Sequence, residues 1–305
     1  MNRRVVVTGA TGTLGRKVVE ILLKRGDVPV IASRDVARAR ASFPAAGQFV
    51  RWNAAYSTEF AAAIDGSDAV IHLAGASIAR RWTSRYKQEI LGSRVRGSES
   101  VAQAILAAKH PPQFLFSASA IGYYGEAGDA GLQENSPAGE DFLADVCRQW
   151  EAAAKPAEAA TRVVYGRTGI VLDKHGGALA KMLLPFRLFA GGALGSGEQW
   201  WSWVHHADVT GMIFWAMDNP GVSGAMNICS PNPVKMRIFA DELARGLHRP
   251  SWLNVPAFAL KLLLGEMAIT ALGSQKVLPQ KASDNGYIFL FPRLNGALAD
   301  ELQRP

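Results

Sequence analysis

Cysteine is nearly absent from this chain, with Cys147 and Cys229 the two examples in 305 residues. They stand far apart with no metal-ligand spacing, which excludes a disulfide framework and a cysteine-built metal centre. Each is expected to be a small core residue in a reducing compartment, so the expected location is cytoplasmic. Charge is also sparse, at 19% of residues, and forms no long block of one sign. The net excess of +7 suits anionic small molecules such as nucleotides and gives no reason to expect nucleic acid as a partner. No apolar run is long enough to cross a bilayer. The longest, Val255 to Leu272, is interrupted by Lys261 and Glu266 and reads as an amphipathic or buried helix with no membrane partner. Met1-Asn2-Arg3-Arg4 leads directly into the first apolar run, which leaves no room for a leader.

What is present is a large apolar fraction, 49%, enough for a substantial core in one large or two unequal domains. The run Val5-Val6-Val7 enters Thr8-Gly9-Ala10-Thr11-Gly12-Thr13-Leu14-Gly15, and helical periodicity continues through Val18, Val19, Leu22 and Leu23. Three glycines at three-residue spacing between a strand and a helix have a physical purpose. Gly9 permits a tight turn, Gly12 lets the backbone approach a pyrophosphate, and Gly15 lets the helix pack on the strand. The pyrophosphate then meets the free N–H groups of the helix N-terminus, with Thr8, Thr11, Thr13 and Leu14 completing the cradle.

Strands and helices alternate from there without repeat or linker, which predicts a doubly wound parallel α/β sheet. Val28 to Ala32 is a second strand, and Ser33-Arg34-Asp35 follows at its end, where such folds meet the adenosine ribose. Ser33 and Arg34 suit a 2′-phosphate and therefore NADP, with Arg38 or Arg40 adding charge; Asp35 keeps NAD as the alternative. Phe49 to Trp52 forms a third strand that places Asn53 near the adenine edge. A fourth, from Asp68, ends in Leu73-Ala74-Gly75, small enough to let the cofactor pass, while His72 reads as a strand-end histidine satisfied by backbone. A long helix from Ser84 to Ala108 turns Ile90, Val95, Val101, Ile105 and Leu106 inward. The fifth strand delivers Ala118-Ser119-Ala120-Ile121-Gly122-Tyr123-Tyr124-Gly125 to the ligand-binding edge of the sheet.

Together, the Thr8 to Gly15 loop, His72-Leu73-Ala74-Gly75 and Ser117 to Gly125 resemble the extended short-chain dehydrogenase/reductase superfamily, in its atypical epimerase-like branch. Arg167 to Leu172, Gly195 to His205 and Gly265-Glu266-Met267 extend the resemblance over nearly the whole chain. It implies a Rossmann domain over residues 1–165, and a smaller substrate or lid region over 166–305 interleaved with it. It also implies a cofactor contact from Arg167 near the nicotinamide. Ser119 matches the serine that orients the substrate oxygen.

The superfamily's tyrosine and the lysine four residues later are missing. The helix Asp141 to Glu151 offers Phe142 or Leu143 at the first position, and so Val146 or Cys147 at the second. Neither can carry positive charge, so the usual proton relay cannot be carried over. Substitutes are Tyr123 or Tyr124 as phenol, Asp145 or Glu151 as base, and Lys181 or Arg187 for an anionic substrate group. The expected activity is an NADP-dependent reductase or epimerase-like step on a small substrate, anionic or resembling a sugar nucleotide. The alternative is a cofactor-binding sensor or interaction protein with reduced catalysis.

In the second half, Trp200, Trp201 and Trp203 read either as stacking platforms or as core. His205 and His206, being adjacent, are expected to point apart and to bind no metal. The tail is expected to hold a helix from about Pro256, a turn at Lys276 to Pro279 and a helix from Gly296 to Leu302. It either covers the pocket or forms a homodimer contact.

Overall fold

Uninterrupted apolar runs become the strands, because a strand covered on both faces must be apolar on both. The computed structural model describes residues 2–303; Met1 of the expected entry into the first strand lies outside them. β1 (Arg4–Thr8), β2 (Val28–Ser33), β3 (Gln48–Arg51), β4 (Ala69–His72) and β5 (Phe114–Ala120) alternate with α1 (Thr13–Lys24), α2 (Val36–Ser42), α3 (Thr58–Ile64) and α4 (Ser84–Ala107). There follow β6 (Gly131–Leu132), α5 (Phe142–Ala154), β7 (Arg162–Thr168), β8 (Ile170–Leu172), α6 (Gly177–Arg187), β9 (Trp200–Trp201), β10 (Trp203–His205), α7 (His206–Asp218) and β11 (Gly224–Ile228). A seven-stranded sheet runs in the order β11-β7-β5-β4-β1-β2-β3, with every pairing parallel.

The fold is α/β and doubly wound, as expected. Val5 and Val7 pack on one side with Val18 and Leu22 of α1 and Val209 and Ile213 of α7. Val6 faces the other way, toward Phe60, Ile64, Val101 and Ile105 of α3 and α4. Because β1 has β2 on one side and β4 on the other, successive connections leave it in opposite directions. A crevice opens there, at the C-terminal ends of the strands.

The remaining chain is β12 (Val234–Lys235), α8 (Met236–Leu247), α9 (Ala257–Leu264), α10 (Ile269–Leu272), β13 (Lys276–Val277), α11 (Gln280–Asp284) and α12 (Leu294–Gln303). It builds a separate core in which Trp201 and Trp203 join Phe186, Phe239, Leu243 and Leu298. Those two tryptophans are therefore structural. Trp200 is held between Lys235 and Lys276, whose ammonium groups lie 4.7 and 4.6 Å from its ring centroid.

Four local expectations are corrected. Lys276–Val277 is a strand paired in parallel with Gly131–Leu132, not a turn. The 255–272 stretch is broken at Gly265, where φ is +62°. Leu106 is exposed and Val95 only half-buried, because α4 buries small residues such as Gly97, Ser98, Ala102 and Ala104 at a close helix contact. His205 and His206 do not diverge. His205 ends a strand and His206 starts a helix, so neither regular geometry separates them. Both Nε2 atoms lie 3.1 Å from Glu301 Oε1 on α12.

The histidine–glutamate group has the composition of a metal site, but its protonation argues for a latch. The Ala207 amide donates to His205 Nδ1 at 3.2 Å, which leaves the ring proton on Nε2, facing the Asp300 and Glu301 carboxylates at 3.1 Å each. Burial works against the Glu301 charge, yet His205, His206 and the Lys174 amide outweigh it and hold the carboxyl well below the usual range. Glu301→Ala is expected to destabilise the protein by about 3 kcal/mol near neutral pH. A depressed folded-state pKa gives stability that is present above the unfolded value and lost on acidification. The gap between wild type and variant in thermal unfolding should therefore narrow below about pH 4.

Candidate functional site

At the β1–α1 junction the glycine requirements are steric. Gly9 has φ +72°, and a Cβ there would sit 2.8 Å from the backbone of Leu73 and Ala74. A Cβ at Gly15 would lie 2.2 Å from the Gly9 carbonyl oxygen, so α1 can approach the turn only with glycine at this position. Gly12 caps α1 with no side chain, and no acidic residue stands in the first turn. The helix N-terminus is thus free for an anion.

A cleft of about 300 Å³ opens beside this junction. Gly9, Gly12, Thr13, Leu14, Gly15 and Leu73 line it, together with Ser119. Phe116, Ala118, Thr168, Val209 and Ile213 also line it. The last two are an i, i+4 pair on α7 with no local motif to mark them. Ala74 adjoins Gly9, whereas Gly75 is exposed near the Arg94 guanidinium. Thr11, half-buried, lies in the turn outside this lining.

Thr8 is corrected. Its side chain is fully buried, and its hydroxyl meets His72 Nδ1 at 2.7 Å instead of facing the cleft. The same contact shows that His72 meets a side chain at Nδ1 rather than backbone, and among the described residues its buried Nε2 has no hydrogen-bond partner. Burial pushes His72 down to about 4, so the ring is neutral near pH 7.

At the end of β2, Ser33 Oγ bonds the Asp35 backbone, and the Asp35 carboxylate accepts the Arg38 amide at 2.9 Å as the N-cap of α2. The acid is thereby turned toward its own helix. Arg34 and Arg38 are exposed beside it, while Arg40 lies over the Phe49 ring. Asn53 is exposed just beyond β3.

Beneath Ser119 is a buried polar network. Ser119 Oγ donates to Glu151 Oε1 at 2.7 Å. Arg167 Nε and Nη2 grip the same carboxylate at 2.8 Å each. Arg167 Nη1 donates to the Tyr124 hydroxyl and to the Glu134 carbonyl, both at 3.1 Å, and the guanidinium lies 3.4 Å from the centroid of the Tyr123 ring. Arg167 is 4% exposed. The expected cofactor contact is corrected: Arg167 is not among the residues lining the cleft, and its donors are turned to protein groups.

Tyr124 is corrected as a phenol catalyst. It donates to Asn227 Oδ1 at 2.6 Å, and burial pushes it up to about 12 against the opposing influence of Arg167. Tyr123 packs with Tyr124 under the loop, so neither phenol lines the cleft. Asp145 is half-buried and engaged with Arg148 and Gln149.

The register of α5 is settled by contact. Leu143 Cβ and Cys147 Sγ face Gly122 at the end of β5, and Cys147 Sγ lies 3.6 Å from the Ala120 carbonyl. Leu143, Cys147 and Glu151 share one helix face at i, i+4 and i+8. Of the two registers the resemblance leaves open, this packing favours Leu143 opposite the tyrosine and Cys147 opposite the lysine. Burial pushes the Cys147 thiol up to about 12, so no charge remains there near neutral pH. A cation does approach from α4: Arg94 lies over the Trp150 ring, 4.8 Å from its centroid, and beside Gly75. Sequence reasoning missed it, because nothing in the periodicity of α4 distinguishes an arginine that folds back toward α5.

Comparison with known proteins agrees with this geometry. A family model described as the NAD dependent epimerase/dehydratase family matches residues 5–229, and a domain of unknown function, DUF1731, matches residues 255–301. An epimerase family protein SDR39U1 homolog, chloroplastic, of Arabidopsis thaliana is 44% identical over 301 residues, covering 98% of this chain and 86% of that protein. The epimerase family protein YfhF of Bacillus subtilis is 39% identical, covering 97% and 96%. The human epimerase family protein SDR39U1, crystallised with NADPH, superposes with a TM-score of 0.89 at 33% identity, covering 99% of this chain and all of that one.

Removing one partner of the buried pair tests the network. Glu151→Ala leaves the Arg167 charge buried without its carboxylate and is expected to destabilise the protein by about 3–5 kcal/mol, read by denaturant unfolding.

Proposed function

The chain belongs to the NAD-dependent epimerase/dehydratase family, and on that footing we propose that it is an NADP(H)-dependent oxidoreductase or epimerase-like enzyme acting on a hydroxyl or carbonyl of a small substrate. The observation that carries this reading is the joining of a steric dinucleotide cradle to a serine wired into a buried Glu–Arg pair. The cradle fits the group, since Gly9 and Gly15 are closed to any side chain and the helix N-terminus is uncapped. Bound NADP(H) supplies the hydride donor or acceptor. Preference for the 2′-phosphate rests on Arg34 and Arg38, exposed and in no ion pair among the described residues, while Asp35 caps α2, and on NADPH in the human relative.

The protein's own part is positioning and proton handling. The Ser119 hydroxyl proton is directed to Glu151, so its lone pairs are left for the cleft. A substrate hydroxyl gives its proton to Ser119 Oγ as the serine proton moves to Glu151, and the reverse sequence protonates a carbonyl oxygen on reduction. Arg167 holds the carboxylate in place throughout. Arg94 brings positive charge to the region from which the lysine ammonium is missing.

A second reading, a cofactor-binding sensor, is favoured by Leu143 and Cys147 at the tyrosine and lysine positions. The two separate cleanly. The enzyme reading predicts turnover of a keto or nucleotide-sugar panel with NADP(H) that falls at least about 100-fold in Ser119→Ala. The sensor reading predicts no such turnover, and a partner affinity that NADPH changes. For the cofactor, fluorescence titration of Arg34→Ala is expected to show NADPH binding weakened about tenfold or more with NADH unaffected. Equal loss for both nucleotides, or none, refutes the 2′-phosphate assignment.

A further inference from the structure

The exterior formed by α6, the loop after it and the segment through α9 differs from the rest of the surface. Leu188, Phe189 and Trp252 are exposed there, and α9 presents Phe258, Leu262 and Leu263 at 73%, 81% and 75% exposure. α9 has seven apolar residues in eight, AFALKLLL, and buries Leu260. The pieces are joined. Trp252 Nε1 donates to the Phe189 carbonyl at 3.1 Å, the Leu253 amide to Gly191 at 3.1 Å, and the Val255 amide to Ala193 at 2.9 Å. Protruding apolar side chains joined in this way mark a surface that meets something else.

Charge identifies what that is. From Lys174 to Gly197 and from Leu243 to Gly265 the chain contains no Asp or Glu, although 26 occur in 305 residues. Lys181, Arg187, Arg249 and Lys261 flank the apolar side chains, with Arg249 over the Phe189 ring at 4.6 Å. The carboxylates that border these segments are already engaged: Glu198 with Arg237, Glu242 with Arg245, and Glu266 with Lys87. The face is apolar at its centre and positive at its rim.

We propose that this face docks on an anionic lipid bilayer, with Trp252, Phe258, Leu262 and Leu263 entering the headgroup boundary and the four cations meeting the headgroups. A helix of eight residues is about 12 Å long and lies in the plane of the interface. Among the described residues no helix is long and apolar enough to cross a membrane, and the interruption of the 255–272 stretch by Lys261 and Glu266 bears on spanning alone. A second copy is the poorer occupant, because a two-fold contact would bring the same cations against each other. Protruding side chains also suit a fluid surface, which needs no matching pocket.

The test is sedimentation of the full chain with phosphatidylcholine vesicles, with and without phosphatidylglycerol. Binding to the anionic vesicles is expected to be at least about tenfold stronger and to weaken severalfold between about 0.1 and 0.5 M salt. Phe258→Ser combined with Leu262→Ser should remove it by about tenfold or more, as should Lys181→Glu combined with Arg187→Glu. Circular dichroism and thermal unfolding should be unchanged, since all four side chains are exposed. Absence of binding by the folded protein overturns the proposal. Equal binding to neutral and anionic vesicles overturns it too, as does self-association without vesicle binding that the Phe258/Leu262 variant abolishes.

Discussion

The buried Arg167–Glu151 pair is the contact around which the functional half of the sheet is arranged. Arg167 comes from β7 and Glu151 from α5. Through the same guanidinium the pair also engages Tyr124, beyond β5, and the backbone of Glu134. Two charges removed from water require each other and every remaining donor to be matched. That requirement fixes how far α5 slides along the sheet, which in turn sets the Glu151 carboxylate against Ser119 in the cleft lining and directs the serine proton inward.

With α5 fixed in this way, the missing tyrosine and lysine take on a definite meaning. On their helix face Leu143 and Cys147 stand two turns and one turn before Glu151. The phenol has been replaced by apolar surface and the ammonium by a neutral thiol. The site has kept an oxygen at Ser119, a carboxylate behind it and cations at Arg167 and Arg94. On the proposed reading, such a set would handle protons at oxygen without a phenolate. The proposed proton route differs from that of the superfamily's usual pair, while the glycine cradle is of the superfamily's kind.

The tail answers a different constraint. It is tied to the body by the histidines at the start of α7 and by Glu301 on α12, and its Trp201, Trp203 and Phe239 form a core of their own. α9 lies outside that core. An exposed apolar helix is a standing liability for solubility, and one bordered by cations with no acid in its own segment is better understood as a surface with a partner.

By itself the sequence determined whatever depends on short-range sterics and periodicity. The Gly9–Gly15 turn, the alternation that makes a doubly wound parallel sheet, the position of Ser119 and the absence of a Tyr/Lys pair were all legible, because each is set within one turn or one strand. Tertiary structure decided the partners. Ser119 finds Glu151 across 32 residues and Tyr124 finds Asn227 across 103, separations over which no local pattern carries information. The same holds for Thr8 turning to His72, for Asp35 turning to its own helix and for the convergence of His205 and His206 on Glu301. A side chain's direction is settled by the nearest unpaired group once the chain has packed, and only the folded molecule says which group that is.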